Sequence, residues 1–170
     1  MKVLSFIQHL TAINLLQSLE VLQLDTPPYV KVGQGYTMNC YFDLEGESLY
    51  SIKWFRDTEE IFSYIATLSD TGVSTVATSV PGVYIESTNV LPESQSTIVF
   101  GNSSFLSTGL YQCEVNGDGP RFLSHSDTKK ITVAETPSSA PEIQGLPAIF
   151  GPGDFLDLNC SIYNTSEPII

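Results

Sequence analysis

Cys40 and Cys113 stand 73 residues apart, and the chemistry open to such a pair in an exported chain is a disulfide. Closing a loop of that length would stabilise a fold by roughly 4 kcal/mol, mainly by restricting the unfolded chain. Catalytic chemistry has less to work with. The histidines are His9 and His125, and no Gly-x-Ser-x-Gly elbow places a nucleophilic serine. His9 falls in the leader described below, so a zinc site would have to draw on cysteines or carboxylates that lack ligand spacing. Asp43, Glu45 and Glu47 alternate along a turn and could offer oxygen ligands to Ca²⁺. A solvated acidic turn explains them more simply. With no glycine-rich phosphate loop either, the residues predict no enzyme, no cofactor and no metal.

The elements that must hold the two cysteines are strands. Trp54 follows Cys40 by 14 residues, and Cys113 closes the run Ser107-Thr108-Gly109-Leu110-Tyr111-Gln112-Cys113. In an immunoglobulin-type β-sandwich a Trp on the third strand packs against the inter-sheet disulfide. A Tyr two residues before the second Cys ties the neighbouring turn to its own backbone. The spacing therefore predicts an all-β, variable-type immunoglobulin-like sandwich with core markers Trp54 and Tyr111. Tyr36, Met38 and Cys40 share the inner face of one strand, and Tyr50, Ile52 and Trp54 that of the next, over Leu49 to Phe55. Glu60 to Ile65 is its hairpin partner, residues 67 to 80 read as a mobile edge or loop, and 82 to 86 and 96 to 100 as short strands of the opposite sheet. Tyr111, Cys113 and Val115 point inward, and Phe122 to Val133 supplies the last strand. Pro27-Pro28 fits only an edge strand, as in a first strand that switches between sheets.

Seven basic residues against nineteen acidic ones give a net charge of −12, which opposes binding to phosphate backbones or anionic lipid. Nucleic acid is thereby excluded as a natural partner. Residues 1–18 read as a secretory signal, with Met1-Lys2 ahead of an apolar stretch that Gln8, His9, Thr11 and Asn14 interrupt. A foreign N-terminal extension is the competing reading. The predicted sandwich covers 19–134 and a Pro/Ser-rich linker 135–141. Residues 142–170 are expected to be the truncated start of a second immunoglobulin-like domain, poorly ordered, whose Cys160 either lacks its partner or pairs between molecules. Three sequons mark Asn102, Asn159 and Asn164 as glycosylation candidates.

The run from Tyr41 to Phe55, with Asp43-Leu44-Glu45-Gly46-Glu47 ahead of Lys53-Trp54, resembles the signature of the beaten path family of arthropod neuronal immunoglobulin-superfamily proteins. Cys113-Glu114-Val115 followed by Gly119-Pro120-Arg121-Phe122 is similar to the same family, as are Pro141 to Gly145 and Gly153 to Ser161. The resemblance extends from about Leu22 to Pro168. It implies an extracellular protein, secreted or attached to the plasma membrane through a C-terminal part, that acts in cell adhesion and axon guidance by binding sidestep-type immunoglobulin proteins. Two departures are visible. Ser107 occupies a position where many variable-type domains carry an Asp paired with an Arg, so that ion pair is not expected. Asn116-Gly117-Asp118-Gly119 replaces the family's Ser/Ala-rich loop.

The expected docking surface is the outward face of the sheet built from residues 49–55, 60–65, 110–115 and 122–133. The partner-binding candidates are Lys53, Phe55, Phe62, Tyr64, Gln112, Glu114, Arg121 and Phe122, because aromatics and Arg tend to anchor interfaces. Phe62 and Tyr64 could equally lie in the core, since no cysteine or tryptophan fixes the register of their strand. Other readings are a soluble immunoglobulin-type recognition or immune protein, and homophilic adhesion through the same face.

Overall fold

The computed structural model describes residues 18–66, 72–137 and 139–163. The leader residues 1–17, the sequon at Asn164 and the rest of the C-terminus lie outside them. Two sheets pack face to face. The four-stranded sheet runs β1 (Glu20–Asp25), β3 (Tyr36–Asp43), β8 (Gln95–Phe100), β7 (Ile85–Leu91). The six-stranded sheet runs β2 (Tyr29–Lys31), β10 (Ser124–Ala134), β9 (Gly109–Gly117), β4 (Leu49–Arg56), β5 (Glu59–Ala66), β6 (Val73–Ala77). β1 pairs antiparallel with β3, while β2, just past Pro27-Pro28, lies parallel to β10. The prolines break one extended stretch so that its halves join different sheets.

Alternation along β3, β8 and β9 sends Met38, Cys40, Phe42, Ile98, Phe100, Tyr111, Cys113 and Val115 into the space between the layers, all buried. Burying each large apolar side chain contributes roughly 1.5–3 kcal/mol. The Cys40–Cys113 disulfide joins the layers with its Cα atoms 6.3 Å apart, and such a bond belongs to an oxidising compartment. Trp54 lies opposite Cys113 in the β4–β9 ladder, fully buried. Among the described residues no helix is long and apolar enough to cross a membrane.

Several strands differ from expectation. Leu49 pairs with Gly117 and Ser51 with Asn116, so a bulge at Tyr50 breaks the alternation of β4. Leu49 turns toward the core and Tyr50, expected inside, is 49% exposed. A second bulge falls where Trp54 pairs with Phe62 but Phe55 with Glu60. Residues opposite one another in a ladder share a face, so Phe62 and Tyr64, paired with Trp54 and Ile52, point inward and are buried. The strand expected over 82 to 86 is instead β7, because Pro81-Gly82 makes a turn closed by Val83 N–H on the Val80 carbonyl at 2.9 Å. Of the segment expected over 67 to 80 as a mobile edge or loop, 67–71 lie outside the described residues, and Val73–Ala77 is β6, an edge strand paired along its length with β5. The last strand starts at Ser124, since Phe122 has a positive φ of 49° in the turn before it.

Past the linker, β11 (Glu142–Gln144) and β12 (Asn159–Ser161) form a two-stranded ribbon. Ile143 and, in the segment joining the two strands, Leu146, Ile149, Phe150, Phe155 and Leu158 are all exposed, so no core forms there among the described residues. Cys160 is an exposed free thiol.

Candidate functional site

The outer face of the six-stranded sheet can be read from its ladders. In β4, β9 and β10 the outward rows are Phe55–Gln112–Thr128, Lys53–Glu114–Ser126 and Ser51–Asn116–Ser124. Lys53 Nζ reaches Glu60 Oε2 on β5 at 3.6 Å and faces Glu114 across the ladder. Asn116 Nδ2 donates to Glu114 Oε1 at 2.9 Å and to Ser51 Oγ at 3.2 Å. Ser51 is therefore outward yet buried, roofed by the Asn116 amide. The centre of the face is a polar, mostly uncharged floor with a single Lys paired with Glu60 and placed opposite Glu114 in the ladder.

Aromatic walls rise at one end of this floor. A groove of about 290 Å³ is lined by Tyr50, Ser51, Lys53, Glu114, Asn116, Gly117 and Phe122. Tyr50 stands on one side because of the β4 bulge. Phe122, 72% exposed, stands on the other, carried by the β9–β10 turn. That turn is held from several directions. Gly117 N–H donates to the Leu123 carbonyl at 2.8 Å, Asp118 N–H to the Ser48 carbonyl at 2.7 Å, and Gly119 N–H to Asp118 Oδ1 at 2.7 Å. Arg121 forms an ion pair with Glu47, whose side chain is largely buried. An exposed ring on a loop tied down in this way loses little freedom when it is covered.

Lys53, Phe55, Gln112, Glu114 and Phe122 thus come together on one face or at its end. Phe62 and Tyr64 do not: they belong to the core. Arg121 is beside the groove, but its guanidinium clamps two turns together through Glu47. Tyr50, Ser51 and Asn116 were missed. Only the β4 bulge brings Tyr50 out, and a bulge leaves no mark in the alternation of Leu49-Tyr50-Ser51-Ile52.

A larger groove of about 400 Å³ lies at the opposite end, lined by Arg56, Asp57, Phe105, Leu106, Thr108, Gly109, Leu110 and Lys130. It contains none of the expected residues, and its arginine is occupied. Arg56 donates to the carbonyls of Pro81 and Leu106 and pairs with Asp57 at 3.5 Å. Ser107, where an Asp would have been the usual partner, donates instead to the Gly82 carbonyl at 2.6 Å. This end is a structural junction around Arg56, whereas the Tyr50–Phe122 groove sets two exposed aromatic rings, at 49% and 72% exposure, against a polar floor.

The acidic turn is engaged within the chain: Asp43 Oδ1 accepts from Glu45 N–H at 2.8 Å, and Glu47 is the partner of Arg121. Among the described residues no group of three or more His, Cys, Asp or Glu side chains converges as a metal site. His125 Nδ1 accepts from Val21 N–H at 2.9 Å, which ties β1 to β10 and fixes its proton on Nε2. Asn102 is exposed in the turn after β8, and Asn159 is exposed on β12. Compared with protein-family models and with curated protein sequences, the chain matches none.

Proposed function

We propose that residues 19–134 form a variable-type immunoglobulin domain, and that the chain is an extracellular recognition protein of the beaten path type, a binding module without catalysis. It binds sidestep-type immunoglobulin proteins on other cells through the outer face of its six-stranded sheet. The strand orders support the domain type: β1-β3-β8-β7 matches the A-B-E-D layer, and β10-β9-β4-β5-β6 the variable-type layer in which C′ and C″ extend the G-F-C sheet. The tyrosine corner supports it too, since Tyr111 Oη donates to the Ser107 carbonyl at 2.8 Å. The beaten path assignment rests on the Asp43 to Glu47 and Lys53-Trp54 blocks and on the segments after Cys113.

The observation that carries the binding surface is the groove with Tyr50 and Phe122 as walls over the Lys53–Glu114–Asn116 floor. Exposed aromatics around hydrogen-bonding groups are the composition expected at the centre of a protein interface. The test is a screen of the whole chain against a panel of cell-surface immunoglobulin ectodomains that includes the chain itself. Binding to a sidestep-type member supports the proposal. Self-binding that depends on the same face would favour homophilic adhesion, and silence across the panel would favour a soluble recognition protein.

A further inference from the structure

A β-sheet edge presents unpaired N–H and C=O groups, and proteins usually blunt it with charge, proline, a bulge or extreme shortness. Three of the four edges of the two packed sheets are treated in that way. β1 carries Glu20, Asp25 and a register shift at Val21/Gln23. β7 carries Glu86 and a shift between Ile85 and Ser87. β2 has only three residues and follows two prolines.

The fourth edge, β6, is bare. Its sequence Val73-Ser74-Thr75-Val76-Ala77 has no charge and no proline, its pairing with β5 has no shift, and all five residues are exposed. No charged residue occurs from Gly72 to Ile85. Among the described residues no strand covers its outer side.

The direction of its free groups follows from one bond. Thr78 N–H donates to the Ile61 carbonyl at 3.0 Å. Hydrogen-bonded and non-bonded pairs alternate along an antiparallel ladder, so Val76–Ser63 and Ser74–Ile65 are bonded inward. Val73, Thr75 and Ala77 therefore turn their N–H and C=O groups to the open edge.

We infer that β6 is a docking edge for the β6 strand of a second copy of this chain, paired antiparallel about a two-fold axis at Thr75. In that register Thr75 faces its own copy, and Val73 faces Ala77. Every outward N–H then meets an outward C=O, the self-complementarity that a two-fold interface requires. The absence of charge permits two chains of net −12 to meet here, since no like charges are brought opposite one another. Their long-range repulsion is screened by salt, so association strengthens with ionic strength. The arrangement leaves the Tyr50–Phe122 groove uncovered and does not rest on the function proposed above.

The test is sedimentation equilibrium of the whole chain across a concentration series, at about 0.02 M and about 0.3 M salt. The expected result is a concentration-dependent dimer, tighter at the higher salt. Thr75→Pro removes an outward N–H that no strand of its own sheet uses, and Thr75→Lys sets two ammonium groups against each other at the axis. Each should weaken association at least roughly tenfold with the thermal midpoint nearly unchanged, and Thr75→Lys covers the case in which the proline variant misfolds. In the wild type, hydrogen exchange at Val73, Thr75 and Ala77 should slow as concentration rises. A wild type that stays monomeric at both salts, a dimer that survives Thr75→Lys, or a dimer lost on Lys53→Glu instead would overturn the inference.

Discussion

Trp54 Nε1 donates to Ser96 Oγ at 2.9 Å across the gap between the two sheets. Ser96 is the ladder partner of Cys40, and Trp54 that of Cys113. The indole bond and the disulfide therefore connect the same two pairs of neighbouring positions, one tie covalent and the other a hydrogen bond between fully buried groups. Ser96→Ala would leave a buried N–H with no acceptor, at a cost of about 1–3 kcal/mol. Denaturant unfolding followed by the fluorescence of Trp54, the sole tryptophan, should show that loss with the disulfide intact; a change under about 0.5 kcal/mol would mean the indole is satisfied in another way.

Tyr36 and Tyr111 predict how stability responds to alkali. Tyr111 gives its proton to the Ser107 carbonyl, so in the 3.0 Å contact between the phenols Tyr36 is the donor. Burial above all pushes both phenols upward; for Tyr36 the neighbouring Tyr111 adds to this, while Arg56 opposes it for both. Unfolded tyrosines ionise near about pH 10, and the folded pair holds its protons to higher pH. Their contribution to stability is thus fully present below that value and is lost as the pH rises from there toward the folded pKa values. Unfolding midpoints at about pH 8, 9.5 and 11 should fall only over the last interval, and less steeply for Tyr36→Phe.

Phe62 and Phe122 separate core from surface in one experiment. Phe62→Ala empties a buried site and should cost about 3–5 kcal/mol. Phe122→Ala, at a ring 72% exposed, should change stability by no more than about 0.5 kcal/mol while weakening partner binding. Equal losses of stability would place Phe122 in the fold's support and not on its binding face.

Gly82 and Gly33 form a matched pair, both with φ of +82°. A Cβ on Gly82 would lie 2.4 Å from the Leu106 carbonyl oxygen, whereas one on Gly33 meets nothing within 4 Å. Gly33→Ala should cost about 1 kcal/mol of backbone strain, and Gly82→Ala about 1–3 kcal/mol or more once the clash is added. Equal thermal midpoints for the two variants would show that the single-turn 3-10 helix at Phe105–Ser107 yields without cost.

How much of this was legible depended on whether a residue pinned the register. Cys40, Trp54, Tyr111 and Cys113 each fix an inner face, and the strands through Met38, Ile52 and Val115 follow from them by simple alternation. Phe62 and Tyr64 had no such marker, and their direction comes from ladder partners on β4 that the sequence does not name. Tyr50 was misplaced for a different reason: the bulge beside it is chosen by packing of Leu49 against the core, a tertiary preference with no local sequence sign. Ser96 passed as an ordinary strand serine because its role depends on an indole 42 residues away. The strand near Tyr84 was read too early because Pro81-Gly82 sets a turn whose exit, not its start, begins pairing.

The claim that matters most is that recognition uses the outer face of the six-stranded sheet, and a glycan wedge tests it without touching the core. Ser126 is exposed in the middle row of that face, opposite Glu114, and Ser126→Asn creates a sequon with Thr128 two residues on. The glycosylated variant should retain its melting temperature and lose binding to the immunoglobulin partner found in the ectodomain panel, whereas Asn102→Gln, away from the face, should bind as the wild type does. Undiminished binding by a chain shown by mass spectrometry to carry the glycan at position 126 would contradict the account.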